Sequence, residues 1–450
     1  MATYWQYHSL KAAPQQTFGT ANSDANDFVA LQCETPSVSF DTAIEELDLL
    51  TGQIGAAPER LIGRRSGSIS IKMPLEGMKA SYNPGAENPG DTGVTPYWMS
   101  ILGNIIGSDI ALSNTAVKFW KGIHLSNSVF TAGDATHGVV AGCTSTLIKT
   151  FDVVTSALYL GGQLLLAASA TTDVTPQIGY VKTKVGNDFT LFEASTNTAV
   201  LLDDMYGTAN AWLSSSQPIQ LPLTMRWVGQ DATFCYILQD CIAESFSVTW
   251  EAGAVPTIEF KFRFYDFSMD KTLGGLTTPT SFQRVPQIVG SNNGRAMIGT
   301  ALTCSLESCT LEYTQELTEI KCHSATQGVD GVTYAKPRVK ASMQVLHTST
   351  DVVYDSAGVA GNVGSHQWQS YLERGVVESV GVYVGSNAGR VFAFLLPGGK
   401  IIAAPAVSLR NGSVQYALQV EAGAYTGDAT DTAETAITSP LDSIFRASVA

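Results

Sequence analysis

The strongest constraint on the fold is a period-two alternation of apolar and polar residues, the pattern of strands that are buried on one face. In SFSVTW, residues 245–250, Phe, Val and Trp alternate with Ser and Thr, and TIEFKFRF, residues 257–264, alternates in the same way. The intervening EAGAVP supplies the Gly and Pro of a turn. Together these segments predict a β-hairpin with one apolar and one polar face. Further apolar faces of this kind comprise Ile69, Ile71, Met73 and Leu75; Val339, Ala341, Met343 and Val345; and Val414, Tyr416, Leu418 and Val420.

Helical patterns are confined to two short segments. TPYWMSILGNIIG has Thr95 as N-cap, Pro96 at the first helical position and Gly107 as its end. SHQWQSYLERG begins with a Ser cap and ends with a Gly in the same manner. We expect one helix near 95–106 and a second near 365–374, each with one apolar face.

An internal repeat organises the chain. VSFDTAIEELDLLTGQIGAAPERLIGRRSGSISIKMPL in the first half and CTLEYTQELTEIKCHSATQGVDGVTYAKPRVKASMQVL in the second both read as strand, long loop, strand. Each is followed by one of the two helices and then by further strands that end in a shared VxxEAG-like motif. The order of elements therefore predicts a duplicated unit.

The first half carries about a hundred extra residues. Within them, short strand patterns with turn residues at Gly161, Gly162, Gly186 and Asn187 predict a small inserted β-domain, a compact barrel on an exposed loop. We therefore expect four parts: repeat one at 1–112 with 218–270, the external insert at 113–217, a linker at 271–290, and repeat two at 291–450.

Charge and cysteine usage exclude several classes of function. The net charge of -14 argues against a nucleic-acid-binding surface, which needs an excess of Lys and Arg. Seven cysteines without CxxC or Cys/His spacing predict buried free thiols and no zinc site. The N-terminus lacks a signal-peptide pattern, and no apolar run is long enough to span a membrane.

Motifs for catalysis or cofactor binding are absent. The six His form no ligand pair at helical spacing, and no GxSxG elbow, Walker loop or dinucleotide fingerprint occurs. The acidic cluster of Glu45, Glu46 and Asp48 does not form a carboxylate pair, because adjacent residues of a strand face opposite sides. We therefore expect no catalytic, cofactor-binding or metal residues. RLIGRR, with Arg60, Arg64 and Arg65, is predicted to be a basic loop.

Several stretches, in the right order, resemble the phage tail tube (major tail) proteins that have the lambda-type tube fold. The N-terminal segment resembles that family's opening arm, with Phe18-Gly19-Thr20 as its turn. GRRSGSISIKMPLEG is similar to its strand before the helix, and TPYWMSILGNIIG to the helix. The strongest similarity lies in the hairpin that ends repeat one, carried by Glu251, Ala252, Gly253, Pro256, Ile258, Phe260 and Phe262. Repeat two keeps Val420, Glu421, Ala422 and Gly423 but lacks the Pro and the Phe-rich strand that follow them in repeat one.

The resemblance implies a mainly β fold: two tandem tail-tube β-sandwich or barrel domains, each with a flanking helix, plus the inserted small β-barrel. It implies a structural protein of the virion tail of a long-tailed phage (a siphovirus), assembled in the host cytoplasm, and not an enzyme. Rings would stack into a hollow tube through which DNA is ejected without specific binding. Two repeats per chain imply three copies in a pseudo-six-fold ring, the alternative being six copies with repeat two outside.

Assembly would be the protein's mechanism. Ring closure would pair strand edges between neighbouring copies, and stacking would use the loops at 51–66 and 323–336 and an N-terminal arm that orders on assembly. Further partners would be the tape-measure, tail terminator and tail-tip proteins, with no membrane. An acidic channel would repel phosphates. The candidate channel residues are Asp41, Glu45, Glu312, Glu316 and Glu319.

Two other functions remain open on the sequence alone. The inner tube of a contractile tail or injection system uses the same fold, although an external insert would clash with a sheath. A carbohydrate-binding or carbohydrate-cleaving β-protein would instead carry exposed aromatic platforms. Against it, Trp98, Trp227 and Trp250 lie in apolar patterns that predict a core.

Overall fold

The structure is a computed structural model, and part of the chain is described. The described residues are 8–47, 59–75, 97–105, 119–120, 124–125, 147–149, 163–168, 177–185, 188–193, 205–206, 210–214, 222–229, 234–270, 294–298, 303–322, 328–346, 352–354, 360–362, 372, 377–384, 392–404, 406–410, 413–423 and 446–449.

Antiparallel strands dominate the first part of the chain, as the alternation predicts. They are β1 (His8–Pro14), β2 (Val29–Leu31), β3 (Ser37–Leu47), β4 (Glu59–Pro74), β5 (Phe119–Trp120), β6 (His124–Leu125), β7 (Leu147–Lys149), β8 (Gln163–Ala168), β9 (Gln177–Val185), β10 (Asp188–Glu193), β11 (Met205–Tyr206), β12 (Asn210–Ser214), β13 (Leu223–Gly229), β14 (Cys235–Glu251), β15 (Thr257–Phe264) and β16 (Asp266–Met269). A 3₁₀ turn spans Ala25–Asp27, and the helix α1 spans Tyr97–Ile105.

The second part continues in the same way. Its strands are β17 (Gly294–Ile298), β18 (Thr303–Lys321), β19 (Val329–Leu346), β20 (Val352–Tyr354), β21 (Ala360–Asn362), β22 (Val377–Val384), β23 (Phe392–Ile401), β24 (Ala406–Arg410), β25 (Ser413–Gly423) and β26 (Arg446–Val449). The linker predicted at 271–290 lies outside the described residues. So does the helix predicted at 365–374, apart from Leu372.

One antiparallel sheet runs through both halves of the chain. Its strands follow the order β3–β4–β15–β14–β18–β19–β25–β24. In each half, a long hairpin (β3–β4 or β18–β19) is followed by a second hairpin (β14–β15 or β24–β25), whose later strand pairs with the long one. The first half's order, β3–β4–β15–β14, is thus repeated as β18–β19–β25–β24, and β14 joins β18 directly. We call this arrangement the joined sheet.

The two EAG segments do not occupy equivalent places in this repeat. Glu251 ends β14, the first strand of its hairpin, whereas Glu421 lies in β25, the second strand of its own. β25 pairs with β19 as β15 pairs with β4, so β25 corresponds to β15. The sequence prediction that these ends match was wrong, because strand position is set by pairing partners and the short motif carries no information about them.

The long hairpins are also more regular than the sequence predicts. Glu59–Ser66 and Val329–Lys336, expected to belong to long loops, are parts of β4 and β19. The basic patch of Arg60, Arg64 and Arg65 therefore lies on a strand. Both faces of these outer hairpin segments are partly solvated, so polar and charged residues occur on both faces and no apolar–polar alternation marks the strand in the sequence.

Further strands flank the joined sheet on both sides. The N-terminal part of β14 pairs with β13 and β16, and β13 continues to β1 and β2. In the second half, β17, β22, β23, β26, β12 and β5 follow one another, with β17 also pairing with β18 and β23 with the end of β25.

The main hydrophobic core extends across the two halves. The apolar faces predicted from the alternation are buried in it, including Phe246 and Phe260, each of which gains about 1.5–3 kcal/mol by leaving water. α1 presents Trp98 to this core, and both Trp98 and Trp250 lie within 6 Å of the Phe394 ring of β23, at centroid distances of 5.8 and 5.9 Å. The first-half helix and hairpin therefore pack against a second-half strand.

The six described strands between residues 124 and 206 form a separate antiparallel sheet in the order β6–β11–β8–β9–β10–β7. Gly186 and Asn187, the predicted turn residues, lie between the paired strands β9 and β10. β5 and β12, near the two ends of the predicted insert, pair with each other, and β12 pairs with β26. These two strands thus attach the segment to the sheet of the second half.

Candidate functional site

The face of the joined sheet opposite the core is polar in both halves. The strand registers align one row across it: Lys72, Glu259, Ser247, Glu312, Lys340 and Glu421. Basic and acidic side chains are close to equal in number on this polar face. The basic ones include Arg64, Lys72, Lys261, Arg263, Arg338, Lys340 and Lys400, and the acidic ones include Asp41, Glu244, Glu251, Glu259, Glu312, Glu316, Glu319 and Glu421. The polar face is therefore charged but has little net charge.

A shallow depression on the polar face gathers several of these charges. It is lined by Ser39, Asp41, Arg64, Ser66, Gly67, Ser68, Glu244, Lys261, Arg263 and Glu319. Glu244 forms an ion pair with Arg263 and lies 3.9 Å from Lys261. The charges that line the depression are thus largely neutralised by neighbouring side chains of the same copy.

Arg64 ties the two long hairpins together at this depression. Its Nη1 donates a 2.6 Å hydrogen bond to Oε2 of Glu319, and its guanidinium lies 5.0 Å from the centre of the Tyr265 ring. The hydrogen bond from Arg64 lowers the pKa of Glu319. Burial raises the pKa of Tyr265 to about 12, so its hydroxyl stays protonated at neutral pH.

The five acidic residues predicted to face a channel do not lie together. Asp41 and Glu319 line the same depression, and Glu312 lies in the charged row further along the face. Glu319 is at an odd spacing from both Glu312 and Glu316 in β18, so its side chain leaves the strand on the other side from theirs and reaches the depression through its ion pair with Arg64. Glu45 belongs to β3, but its side chain is outside the described residues.

The sequence did not predict that basic side chains lie directly beside the acidic ones on this surface. The alternation of residues 257–264 predicts that Lys261 and Arg263 lie on the polar face of that strand, but their position beside Glu244 follows from a bulge in the β14–β15 pairing. The irregularity between Ala243 and Ser245 turns Glu244 onto the polar face. No pattern in the sequence marks that extra residue.

The residues of the family-like motif lie in the turn of its hairpin and on the face of the hairpin that is buried in the core. Gly253 has a φ of +85°, a left-handed conformation that favours glycine, and the Ala254 amide donates a 3.0 Å hydrogen bond to the Glu251 carbonyl. Pro256 is buried at the start of the next strand. The other motif residues, Ile258, Phe260 and Phe262, are buried in the core. The motif is therefore structural.

Two strands are open edges of the joined sheet. Within the described residues, β3 pairs only with β4, and β24 pairs only with β25. Large apolar side chains are exposed on both, with Phe40 38% and Ile44 57% exposed on β3, and Val407 61% and Leu409 79% exposed on β24. Exposed apolar edge strands favour pairing with another chain.

The N-terminal segment is fixed within a single copy. β1 pairs along its whole length with β13, and Leu10 and Ala12 are buried, so residues 8–14 need no partner copy to become ordered. For residues 8–14, this corrects the prediction of an arm that orders only on assembly. Strand pairing supplies the backbone hydrogen bonds that an isolated arm would lack.

A buried carboxylate holds the segment that follows β1. Asp240, 2% exposed and with a φ of +54°, accepts a 2.8 Å hydrogen bond from the Gly19 amide and another from the Gln15 side chain. Burial raises the pKa of Asp240, while these hydrogen bonds act in the opposite direction. Gly19 belongs to the predicted Phe18-Gly19-Thr20 turn and has a φ of +84°.

The structure also describes the tryptophans and cysteines that the sequence analysis considered. Trp98 and Trp250 are buried and Trp227 is half-buried, so none of them forms an exposed platform of the carbohydrate-binding kind. Cys33, Cys235, Cys241, Cys309 and Cys322 are free thiols. Among the described residues, no group of three or more His, Cys, Asp or Glu is placed to hold a metal ion. No described helix has the length and hydropathy required to cross a bilayer.

Comparison with known protein families identifies a match that covers most of the chain. The family model described as phage tail tube protein matches residues 8–360, more than half of the chain. No curated protein sequence matches the chain.

Proposed function

Because the chain belongs to the phage tail tube protein family, we propose that it builds the tube of a long-tailed phage as stacked rings of three copies, each copy supplying two tube repeats. The chain is a structural protein of the phage tail that assembles with itself and with other tail proteins. The observation that carries the proposal is the joined sheet. Its strand order occurs twice in one chain, and its polar face continues from one repeat to the next.

Three copies are favoured over six because of how the two repeats are connected. β14 of the first repeat pairs with β18 of the second over seven residue pairs, from Ser245 opposite Thr314 to Glu251 opposite Ser308. The repeats are therefore neighbours within one sheet, which is the arrangement of adjacent units in a wall. A second repeat placed outside the wall would instead have its own separate sheet.

The polar face is proposed to line the channel, since the opposite face is buried in the core. Of the five candidate channel residues, Glu312 lies in the charged row across this face, and Asp41 and Glu319 line the depression. Phosphate binding requires an excess of positive charge, and the basic side chains here are matched by acidic ones. DNA can pass such a surface without specific or strong binding.

Other contacts follow from the same geometry. The segments that connect the two strands of each long hairpin, after Leu47 and after Lys321, are proposed to contact the next ring. The tape-measure, tail terminator and tail-tip proteins are the proposed further partners, with assembly in the host cytoplasm and no enzymatic step. The six-stranded sheet of the insert is proposed to project outside the tube.

Electron cryomicroscopy of the purified chain at high concentration, and of tails from infected cells, tests this proposal. We expect hollow tubes whose rings contain three copies and whose channel is lined by the row from Lys72 to Glu421. Rings of six copies would overturn the stoichiometry. A channel lined by residues of another face would overturn the assignment of the polar face, and tails that lack the chain would overturn the function.

A further inference from the structure

We propose that residues 15–20 form a clamp that holds the outer end of the second long hairpin, residues 317–321 of β18 and 329–334 of β19, and that the Asp240 carboxyl group is the latch of this clamp. The clamp belongs to the first repeat and the hairpin to the second. A link from the clamp to the next ring, which the same hairpin is proposed to contact, rests on the proposed function, whereas the clamp itself does not.

The clamp follows β1 directly and has little regular structure of its own. Most of its residues are exposed. The Gln15 amide donates a 2.8 Å hydrogen bond to the Pro222 carbonyl, and the Thr20 amide donates one of 3.3 Å to the Thr17 carbonyl. In the part of the chain that the structure describes, no other hydrogen bond joins the clamp to backbone. Its position therefore depends on side chains.

Asp240 supplies the acceptor that holds this segment. Its side chain is buried in β14, and its Oδ1 accepts a 2.8 Å hydrogen bond from the Gly19 amide and another from Nε2 of Gln15. A donor that is left without an acceptor in a buried site retains the cost of leaving water. Loss of the carboxyl group would therefore favour release of the clamp from β14.

Gln15 connects the latch to a second strand of the first repeat. The residue is fully buried, and its Oε1 accepts hydrogen bonds from the Asp240 amide, at 3.1 Å, and from the Thr224 hydroxyl of β13, at 3.0 Å. Its Nε2 also donates a 2.9 Å hydrogen bond to the Thr17 carbonyl. A buried network in which each of these groups has a partner fixes a single position of the segment.

Phe18, the neighbour of Gly19 in the clamp, reaches the second repeat. Its ring centre lies 5.8 Å from that of Tyr265. The ring packs against a small apolar cluster that consists of Ile242, Tyr265, Leu317, Val329 and Val332. Ile242 and Tyr265 belong to the first repeat, and the other three residues belong to β18 and β19. The hydrogen bond of Gly19 to the latch therefore also fixes an apolar contact between the repeats.

The cluster lies at the outer end of the second long hairpin. Val329 is the first residue of β19 and is opposite Lys321, the last residue of β18. Strand ends of this kind are among the parts of a sheet that open most easily. Val329 is nevertheless 5% exposed. The clamp and the cluster thus cover a strand end that would otherwise be solvated.

Tyr265 takes part in a second contact with the same hairpin end. The Arg64 guanidinium lies 5.0 Å from the centre of its ring and forms the ion pair with Glu319 of β18. Both side chains of this ion pair are partly solvated, which limits its contribution. The apolar contact of Phe18 is therefore the part of the hold that depends on the latch, and it fixes where the segment after Lys321 leaves β18.

Hydrogen exchange of the unassembled full chain, measured by mass spectrometry, tests the latch. Asp240→Ala is expected to speed exchange in peptides that cover 15–20 and 328–332 by about tenfold or more, because both segments are protected by the same closed clamp. Asp240→Asn keeps an acceptor for the Gly19 amide and should restore the protection. Residues 42–47, at the outer end of the first long hairpin, are the internal control and should not respond. Unchanged exchange at 328–332 in Asp240→Ala would overturn the latch.

Two phenylalanines provide a matched pair of variants that leaves the latch in place. Phe18→Ala removes the ring that contacts the second repeat. Phe28→Ala removes another half-buried ring, which lies 3.7 Å from the Arg226 guanidinium within the first repeat. We expect exchange at 328–332 to become roughly tenfold faster in the first variant and to stay unchanged in the second. Equal effects of the two substitutions would overturn the clamp, and this comparison holds even if Asp240→Ala does not fold.

The link to the next ring is measured separately, by counting tubes in electron micrographs of the two phenylalanine variants assembled side by side. We expect several-fold fewer tubes from Phe18→Ala than from Phe28→Ala, because the hairpin end is no longer held in position. A normal yield from Phe18→Ala together with faster exchange would overturn this link and leave the clamp standing. If the unsubstituted chain forms no tubes, the proposed function fails, and the exchange rates still decide the clamp.

Discussion

The rings of Phe246 and Tyr313 are stacked across the joint between the two repeats. Their centroids are 4.9 Å apart, their planes are inclined by 7°, and the two residues are directly opposite each other on β14 and β18. Both are buried in the common core. The contact between repeats is therefore part of the hydrophobic core, unlike a surface contact between independent domains.

Replacing Phe246 by Ala is expected to destabilise the whole chain. It removes a fully buried ring and leaves a cavity at the joint, at a cost of about 3–5 kcal/mol. Tyr313→Phe is the control, since it keeps the stack and removes only the hydroxyl that donates a 3.0 Å hydrogen bond to Gln315, a loss of about 0.5–1.5 kcal/mol. Denaturant unfolding measures both. Similar losses for the two variants would show that the stack is not important for the joint.

Gly67→Ala is expected to be destabilising because its site has no room for a methyl group. A Cβ there would lie 2.1 Å from the Ser39 carbonyl oxygen and 2.3 Å from Cζ of Phe264. Overpacking of this kind typically costs about 1–3 kcal/mol. Gly331→Ala is the control, with its nearest neighbour, Cδ1 of Ile320, at 3.7 Å. Thermal melting should separate the two variants, and equal melting temperatures would contradict the close packing of β3 on β4.

Asp240 is expected to make stability fall as pH rises. Its pKa is raised by burial in the folded chain, so folding is favoured while the carboxyl is protonated and loses that advantage as pH rises through the folded pKa. Asp240→Asn keeps an acceptor for the Gly19 amide and tolerates the left-handed φ, so it should remove this slope. Asp240→Ala should cost about 1–3 kcal/mol, because the Gly19 and Gln15 donors lose their acceptor. Free energies of unfolding measured between about pH 4 and 8, the range above the ordinary Asp pKa in which a carboxyl with a raised pKa titrates, test both variants. An Asn variant with an unchanged slope would rule out Asp240 as its source.

Glu319 is expected to show the opposite pH dependence. Its pKa is lowered by the hydrogen bond from Arg64, so its contribution is present above the ordinary carboxyl pKa and is lost as pH falls through the folded pKa. Glu319→Gln should cost about 1 kcal/mol or less at neutral pH, because both side chains of the pair are partly solvated, and nothing in acid. Glu312→Gln, at an exposed position on the same strand, is the comparison. Equal effects at the two positions would mean that the ion pair does not tie the hairpins together.

The insert is expected to be dispensable for assembly if its attachment strands are kept. A deletion of residues 121–209 with a short bridge retains β5 and β12, and β12 pairs with β26. Deleting 113–217 removes these strands and leaves β26 unpaired on that side. Tubes should form from the first variant in electron micrographs, and fewer from the second. Loss of assembly in the first variant would show that the six-stranded sheet takes part in ring contacts.

Local patterns predicted most of the strands of the joined sheet and its apolar face, but not the outer segments of β4 and β19. The alternation around Phe246 and Phe260 and the apolar stripe of Trp98, Ile101 and Leu102 depend only on side-chain periodicity, and the structure buries them all. The phage tail tube family was recognisable for the same reason, because its hairpin motif is a local sequence of turn and core residues.

The pairings between strands that are distant in the sequence could not be predicted from the sequence. Nothing in β14 identifies β18 as its neighbour, since each strand presents an ordinary apolar face that would fit many partners. The place of β25, the pairing of β12 with β26 and the bulge that exposes Glu244 depend on the same kind of choice. Asp240 looked like any polar residue in a strand, because its left-handed φ and its hold on Gly19 arise only when distant segments meet.

The joint between β14 and β18 also bears on how quickly rings can form. Two repeats on one chain meet at a high effective concentration, so their contact forms as the chain folds and costs no translational freedom of a free subunit. In the proposed ring, every second contact is therefore complete before the copies meet, and only the contacts between copies depend on protein concentration. Duplication in this chain would thus lower the concentration at which a first ring can nucleate, a kinetic advantage that single-repeat subunits do not have.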